Sequence, residues 1–270
     1  MKITFLGGGN MASALIGGML KQGMGATDIT VVEPSAEARA RLHQTYAVNC
    51  MEAAKMLASA GDLLVLAVKP QQMKDAVAPL AGKLGNAVVV SIAAGLDLAT
   101  LSRFLGGHRR IVRCMPNTPA LIGAGITGLC ALPEVSTDER TAAERVLSAV
   151  GSTLWIDDEA RMDAVTALSG SGPAYVFLFI EAMQQAAADL GFTPEQGRRL
   201  AIETVQGAAA LAAQSSDPAA LLRERVTSKG GTTEAALQMM ADKGVKEGVI
   251  AGIMAAEARG RELGKLLGAA

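Results

Sequence analysis

Hydrophobic residues in this chain follow one rhythm up to about Asp157 and another after it. In the first stretch, short aliphatic or β-branched runs alternate with segments whose apolar residues recur every three to four positions, as in parallel strands joined by crossover helices. The runs Ile3–Leu6, Ile29–Glu33, Leu63–Val68, Ala87–Ile92, Arg110–Cys114, Gly125–Ala131 and Thr153–Ile156 predict strands. Met11–Gln22, Ala36–Gln44, Ala53–Ala60, Gln72–Leu84, Leu98–Leu105 and Thr137–Val150 predict the helices between most of them. From Asp158 onward every periodic segment reads as helix: Ala160–Leu168, Pro173–Leu190, Pro194–Ser215, Pro218–Glu224, Thr233–Lys243 and Lys246–Leu267. Gly170-Ser171-Gly172, Gly191, Asp217-Pro218 and Gly230-Gly231 punctuate them. The expected fold is α/β over residues 1–157 followed by an all-α domain over residues 158–270.

A length of 270 residues accommodates two such domains. Half of the residues are apolar but only 3% are aromatic, and Ala and Gly are abundant, which favours closely packed helices over a β-sandwich. A formal net charge of -1 and the lack of a Lys/Arg block argue against nucleic acid or an anionic membrane as partner. Cys50, Cys114 and Cys130 are odd in number and widely spaced, as expected of reduced thiols in a cytosolic protein. With only His43 and His108, far apart, neither a metal site nor a histidine dyad is expected. Lys2–Leu20 has a superficial likeness to a signal peptide, but Gly7-Gly8-Gly9-Asn10 interrupts its apolar run. Later apolar stretches are broken by charges or Gln, so no transmembrane helix is expected. Small residues such as Ala208-Ala209-Ala210 and Ala255-Ala256 allow close helix approach, either against a second copy or within a monomeric cap.

Two glycine-rich segments carry the chemistry. Lys2–Leu6 leads directly into Gly7-x-Gly9-x-x-Ala12, which opens a helix, and that context makes a dinucleotide-binding turn of Rossmann type. Gly7 permits the tight turn, Gly9 lets the backbone approach a pyrophosphate, and Ala12 lets the helix sit close to the sheet; Gly8, Asn10 and Met11 complete the loop. Glu33 ends the second strand, where an acid would bond an adenosine ribose 2′-hydroxyl and favour NAD, whereas Ser35 and Arg39 could accommodate the 2′-phosphate of NADP. Ala67-Val68-Lys69-Pro70 and Ala93 follow two further strands at their carboxyl ends, the side of an open parallel sheet on which ligands lie. Lys69 could reach a phosphate or stand in water as a helix-start lysine. Near the other terminus, Ser228-Lys229-Gly230-Gly231-Thr232-Thr233 precedes a helix and reads either as an ordinary helix entry or as a nest of backbone N–H groups for a carboxylate or phosphate. Met115-Pro116-Asn117-Thr118-Pro119 follows a strand end and offers an amide and a hydroxyl without formal charge to a nicotinamide or a small polar substrate.

With these motifs in order, and with Ser169-Gly170-Ser171-Gly172-Pro173-Ala174-Tyr175 between them, the chain resembles the pyrroline-5-carboxylate reductase family over nearly its whole length. The resemblance implies a Rossmann domain followed by an all-α dimerisation and substrate domain. It further implies NADPH-dependent, with NADH possible, reduction of L-1-pyrroline-5-carboxylate to L-proline in the cytoplasm, by a homodimer or a larger homo-oligomer built from dimers. It places Ser228, Gly230, Gly231 and Thr232 on the substrate carboxylate, Asn117 and Thr118 beside the reacting groups, and Thr233 near the ring nitrogen as the catalytic hydroxyl. Two departures stand out: Lys229 where some relatives have proline, and Glu33 where many NADP users have a smaller polar residue. The chemistry needs a hydride donor held near the imine carbon and a proton at nitrogen, and no metal. A rival reading is a 3-hydroxyacid dehydrogenase of the 6-phosphogluconate dehydrogenase type, whose lysine base would be expected in the helix after Gly170-x-Gly172. Pro173–Leu178 offers none. A non-catalytic dinucleotide-binding protein is the other alternative.

Overall fold

The computed structural model describes residues 1–57 and 59–269. Its strands are β1 (Ile3–Leu6), β2 (Ile29–Val32), β3 (Asn49–Met51), β4 (Leu63–Leu66), β5 (Val88–Ser91), β6 (Ile111–Met115), β7 (Gly125–Ala131) and β8 (Gly151–Trp155). They form one sheet in the order β3-β2-β1-β4-β5-β6-β7-β8. Helices α1 (Asn10–Lys21), α2 (Ala36–Tyr46), α3 (Met73–Val77), α4 (Leu98–Phe104), α5 (Thr137–Leu147) and α6 (Met162–Val165) accompany it. Beyond them come α7 (Gly172–Asp189), α8 (Pro194–Gln214), α9 (Ala219–Arg225), α10 (Thr232–Asp242) and α11 (Val245–Ala269).

Consecutive residues of β4 explain why these strands read as unbroken apolar runs. Leu63 and Val65 enter a core with Phe5, Leu15, Ile16 and Val31, while Leu64 and Leu66 enter a second core with Met73, Val77 and Leu101. Helices cover both faces, so neither set of side chains can be polar. The expected all-parallel order holds from β3 through β6, but β7 pairs antiparallel with β6, and β8 then runs parallel to β7. The turn Thr118–Ile122 is too short for a right-handed crossover, so the chain can only return alongside β6.

Three local expectations are corrected. β3 was not foreseen, because Asn49-Cys50-Met51 lacks a β-branched run; its pairing with β2 organises it. The helix expected over Ala53–Ala60 is a 3-10 turn at Ala54–Met56, and Ala58 lies outside the described residues. The helix expected over Gln72–Leu84 is reduced to α3 between two 3-10 turns, as Pro79 has no N–H with which to continue it.

The chain divides into two compact units, Met1–Ser171 with the stretch from Ala256 onward, and Gly172–Ala255. The sequence pattern put its change at residue 157, but Met162 is fully buried in the second sheet core, and Glu159 and Asp163 pair with the buried Arg113 at 3.0 and 3.5 Å. In the helical unit α7 and α8 form an antiparallel pair. The Gly197 position leaves a Cβ only 3.0 Å from that of Ala187, and a capping box of Thr193 and Gln196 starts α8. Few of its residues are buried, whereas Val176, Phe177, Leu178, Phe179, Leu200, Leu211, Val249 and Met254 are exposed. The stretch Glu159–Asp189 is long and apolar enough to cross a membrane by length and composition, with a mean hydropathy of 1.2 over an 18-residue window, which the sequence reading did not anticipate.

Candidate active site

The opening glycines hold three different places. Gly7 has φ +100°, its N–H donates to Val32 O at 2.8 Å, and a Cβ there would lie 2.7 Å from Ala67 O. Gly8 faces the core, where a Cβ would meet Leu42 Cδ1 at 2.5 Å. Gly9 is the N-cap of α1, yet it has no side chain to cap with and a Cβ there would meet nothing within 4 Å. The first N–H groups of an α-helix have no partner inside it, and here no side chain caps them. That arrangement fits a dinucleotide pyrophosphate. Ala12 is buried against the sheet, with Asn10 exposed and Met11 half-buried beside the loop.

Strand register brings further segments to the same end. Leu6 pairs with Leu66, and Leu66 with Ser91, so Gly7, Ala67 and Ile92 leave the sheet side by side. The Ala67 N–H donates to Leu6 O at 2.8 Å, and the Ile92 N–H to Leu66 O at 3.1 Å. Val68 is half-buried, Lys69 is exposed and starts the turn Pro70–Gln72, and Ala93 is buried. Chain order reverses across β1 and β4, because β1 continues to β2 on one side while β4 continues to β5 on the other. A crevice at such a switch point is where α/β sheets take their ligands.

Glu33 does not stand free at the end of β2. Its Oε2 accepts the Gly8 N–H and its Oε1 the Ser35 N–H, each at 2.9 Å. Arg39 Nη1 donates to Glu33 O and Pro34 O, both at 2.7 Å, and Ser35 Oγ accepts the Ala38 N–H as the cap of α2.

Asn117 is buried with its amide engaged at both ends. Nδ2 donates to Ser169 O at 3.2 Å and Oδ1 accepts the Ile126 N–H at 2.9 Å, so the side chain ties the loop after β6 to β7 and to the π-helical turn Thr166–Gly170. Thr118, next to it, is exposed. The sequence offered Asn117 as a lining group, and the fold makes it a strut.

In the helical unit, Gly230 has φ +73° and Gly231 is the N-cap of α10, again without a side-chain cap. Two of the loop's amides are used within the chain: Gly230 N–H donates to Glu234 Oε2 at 2.7 Å and Gly231 N–H to Ser228 O at 3.0 Å. Among the donors left for an anion are the first-turn N–H groups of α10, at Thr232, Thr233 and Glu234. Ser228 is exposed and Thr233 half-buried. Glu234 closes the motif Ser228–Glu234 in the sequence but had no role assigned there. An acid in a helix's first turn that reaches back to an amide before the cap is a recognisable signal, a variant of the capping box.

Elsewhere, burial pushes the Cys50, Cys114 and Cys130 thiols upward, Cys114 well above its ordinary range, so none is poised as a thiolate. Burial lowers the pKa of His108, whose Nε2 lies 2.9 Å from Ala87 O. Among the described residues no group of His, Cys, Asp and Glu is placed to hold a metal ion.

Two family models match. Residues 159–263 match pyrroline-5-carboxylate reductase dimerisation, and residues 2–95 match NADP oxidoreductase, coenzyme F420-dependent. The pyrroline-5-carboxylate reductase of Pseudomonas aeruginosa is 46% identical over 268 residues, covering 99% of this chain and 98% of the relative. That of Escherichia coli is 37% identical, covering 92% and 93%. Among solved structures, a pyrroline-5-carboxylate reductase from Coxiella burnetii superimposes with a TM-score of 0.91 at 39% identity, covering 97% of this chain and 98% of that one. The Plasmodium falciparum pyrroline carboxylate reductase with NADP bound gives 0.87 at 29% identity, covering 98% of each chain.

Proposed function

This chain belongs to the pyrroline-5-carboxylate reductase family, and we propose from that premise how its residues reduce L-1-pyrroline-5-carboxylate to L-proline, the last step of proline biosynthesis. The hydride donor is NADPH, as the NADP of the matched family model and of a similar structure supports; NADH is the alternative that Glu33 leaves open. The observation that carries the reading is the presence, in one chain, of two helices that begin on uncapped glycines, α1 at Gly9 and α10 at Gly231. One supplies amides for a pyrophosphate, the other for a small carboxylate.

The roles follow from chemistry. Gly7, Gly8, Gly9, Asn10 and Met11 cradle the pyrophosphate, Glu33 and Ser35 flank the adenosine ribose, and Ala67–Pro70 with Ala93 meet the nicotinamide half. The Ser228–Thr232 backbone orients the substrate carboxylate, Thr118 lines the reaction space, and Asn117 holds that loop in register. A protonated imine accepts hydride readily, so the Thr233 hydroxyl is assigned to bond or relay a proton to the ring nitrogen. A hydroxyl is too weak an acid to act alone, and water or an already protonated substrate shares the task.

The protein acts as a homo-oligomer, and the exposed apolar residues of α7 and α8 support a dimer as its building block, with larger assemblies made from dimers. The cytoplasm is its proposed compartment, in keeping with three free cysteines.

The test is consumption of NADPH or NADH, followed by nicotinamide absorbance, with purified protein and pyrroline-5-carboxylate. Turnover is expected with both cofactors; a folded sample that binds cofactor yet consumes neither overturns the reading. If Thr233→Ala leaves kcat and substrate KM unchanged, the hydroxyl's assignment is wrong.

A further inference from the structure

The end of the second strand is where a dinucleotide places its adenosine ribose, whose 2′ substituent is a hydroxyl in NADH and a phosphate in NADPH. Glu33 occupies that end with its carboxylate pinned by the amides of Gly8 and Ser35, each at 2.9 Å. One N–H on each oxygen leaves lone pairs that can still accept a bond from a hydroxyl. A 2′-phosphate would instead bring its negative charge up to a fixed negative group.

The groups that could offset that charge stand beside it and are each partly engaged within the chain. Arg39 directs Nη1 to the carbonyls of Glu33 and Pro34, and Ser35 Oγ caps α2 through the Ala38 N–H. The carboxylate is also built into the pyrophosphate loop, since its Oε2 is the acceptor for Gly8, whose α-carbon is already confined by Leu42. We propose that Glu33 sets the balance between NADH and NADPH in this enzyme, penalising the 2′-phosphate by its charge while bracing the glycine loop by its hydrogen bond. The proposal rests on the assignment of Gly7–Met11 as the cofactor loop.

The two actions separate by substitution. Glu33→Gln keeps a carbonyl oxygen for the Gly8 N–H and removes the charge; Glu33→Ala removes both. The experiment titrates the purified oligomer with NADH and NADPH, without substrate, and follows nicotinamide fluorescence or heat. In Glu33→Gln the preference is expected to move roughly tenfold or more toward NADPH, with NADH binding within about threefold of native. Glu33→Ala is expected to show a similar shift in ratio together with several-fold weaker NADH binding. A ratio that stays put in both variants overturns the charge assignment, and native-like NADH binding by Glu33→Ala overturns the brace. Native protein that binds neither cofactor overturns the loop assignment, and the proposal with it.

Discussion

The chain carries two glycine-rich helix entries that look alike in sequence and differ in what surrounds them. At the first, Gly7 is wedged against Ala67 O and Gly8 against Leu42, so the sheet and α2 dictate the loop's shape. At the second, a Cβ on Gly230 would meet nothing within 4 Å, and the loop is held by its own bonds, from Gly230 N–H to the Glu234 carboxylate and from Gly231 N–H to Ser228 O. In both, a glutamate of the chain accepts a glycine N–H, Glu33 from Gly8 and Glu234 from Gly230. The difference teaches that the first loop, proposed for the cofactor, is prebuilt by its own core, whereas the second, proposed for the carboxylate, sits on a helical unit whose large apolar residues still face outward.

The largest effect should come from denying those residues a partner. Phe177→Asp with Phe179→Asp is expected to dissociate the oligomer and abolish turnover, while cofactor binding persists; sedimentation and cofactor titration check both halves. Full activity in a monomer would erase the contrast. Next, Gly7→Ala combines φ +100° with a clash against Ala67 O, and should cost about 3 kcal/mol or more of stability, seen as a falling Tm and lost cofactor binding. Gly230→Ala faces only the backbone penalty, about 1–2 kcal/mol, and should raise the substrate KM while lowering Tm less than Gly7→Ala does. Asn117→Ala should cost about 2–3 kcal/mol, because it strands the Ile126 N–H and the Ser169 carbonyl, whereas Thr118→Ala should leave Tm unchanged. The smallest effect concerns pH and the first unit alone. With its pKa lowered by burial, His108 binds a proton more readily unfolded than folded, so stability should fall modestly as pH drops below 6.5. Thermal melts of His108→Gln should lose that part of the pH dependence.

Much of this was legible because both sheet faces are covered, which leaves runs such as Leu63–Leu66 and Val88–Val90 unambiguous. The glycine loops were legible because backbone geometry restricts the residue type. What the pattern could not show was tertiary. β3 exists through its neighbour, β7 reverses because its connection is short, and the segment around Met162 looks helical but packs with the sheet. Side-chain partners were hidden in the same way. Nothing local says that Asn117 is tied at both ends, or that Arg39 donates to two carbonyls, since the partners are chosen by folding.

Gly9 adds a lesson about how such a chain tolerates change. Its backbone is ordinary, at φ -72° and ψ -172°, and no protein atom crowds it, so the folded state has no objection to alanine there. A library selected for abundance or heat resistance would accept Gly9→Ala and reject Gly7→Ala, while one selected for growth without proline would reject both. Where those two selections disagree, the residue is kept by its ligand and not by its fold.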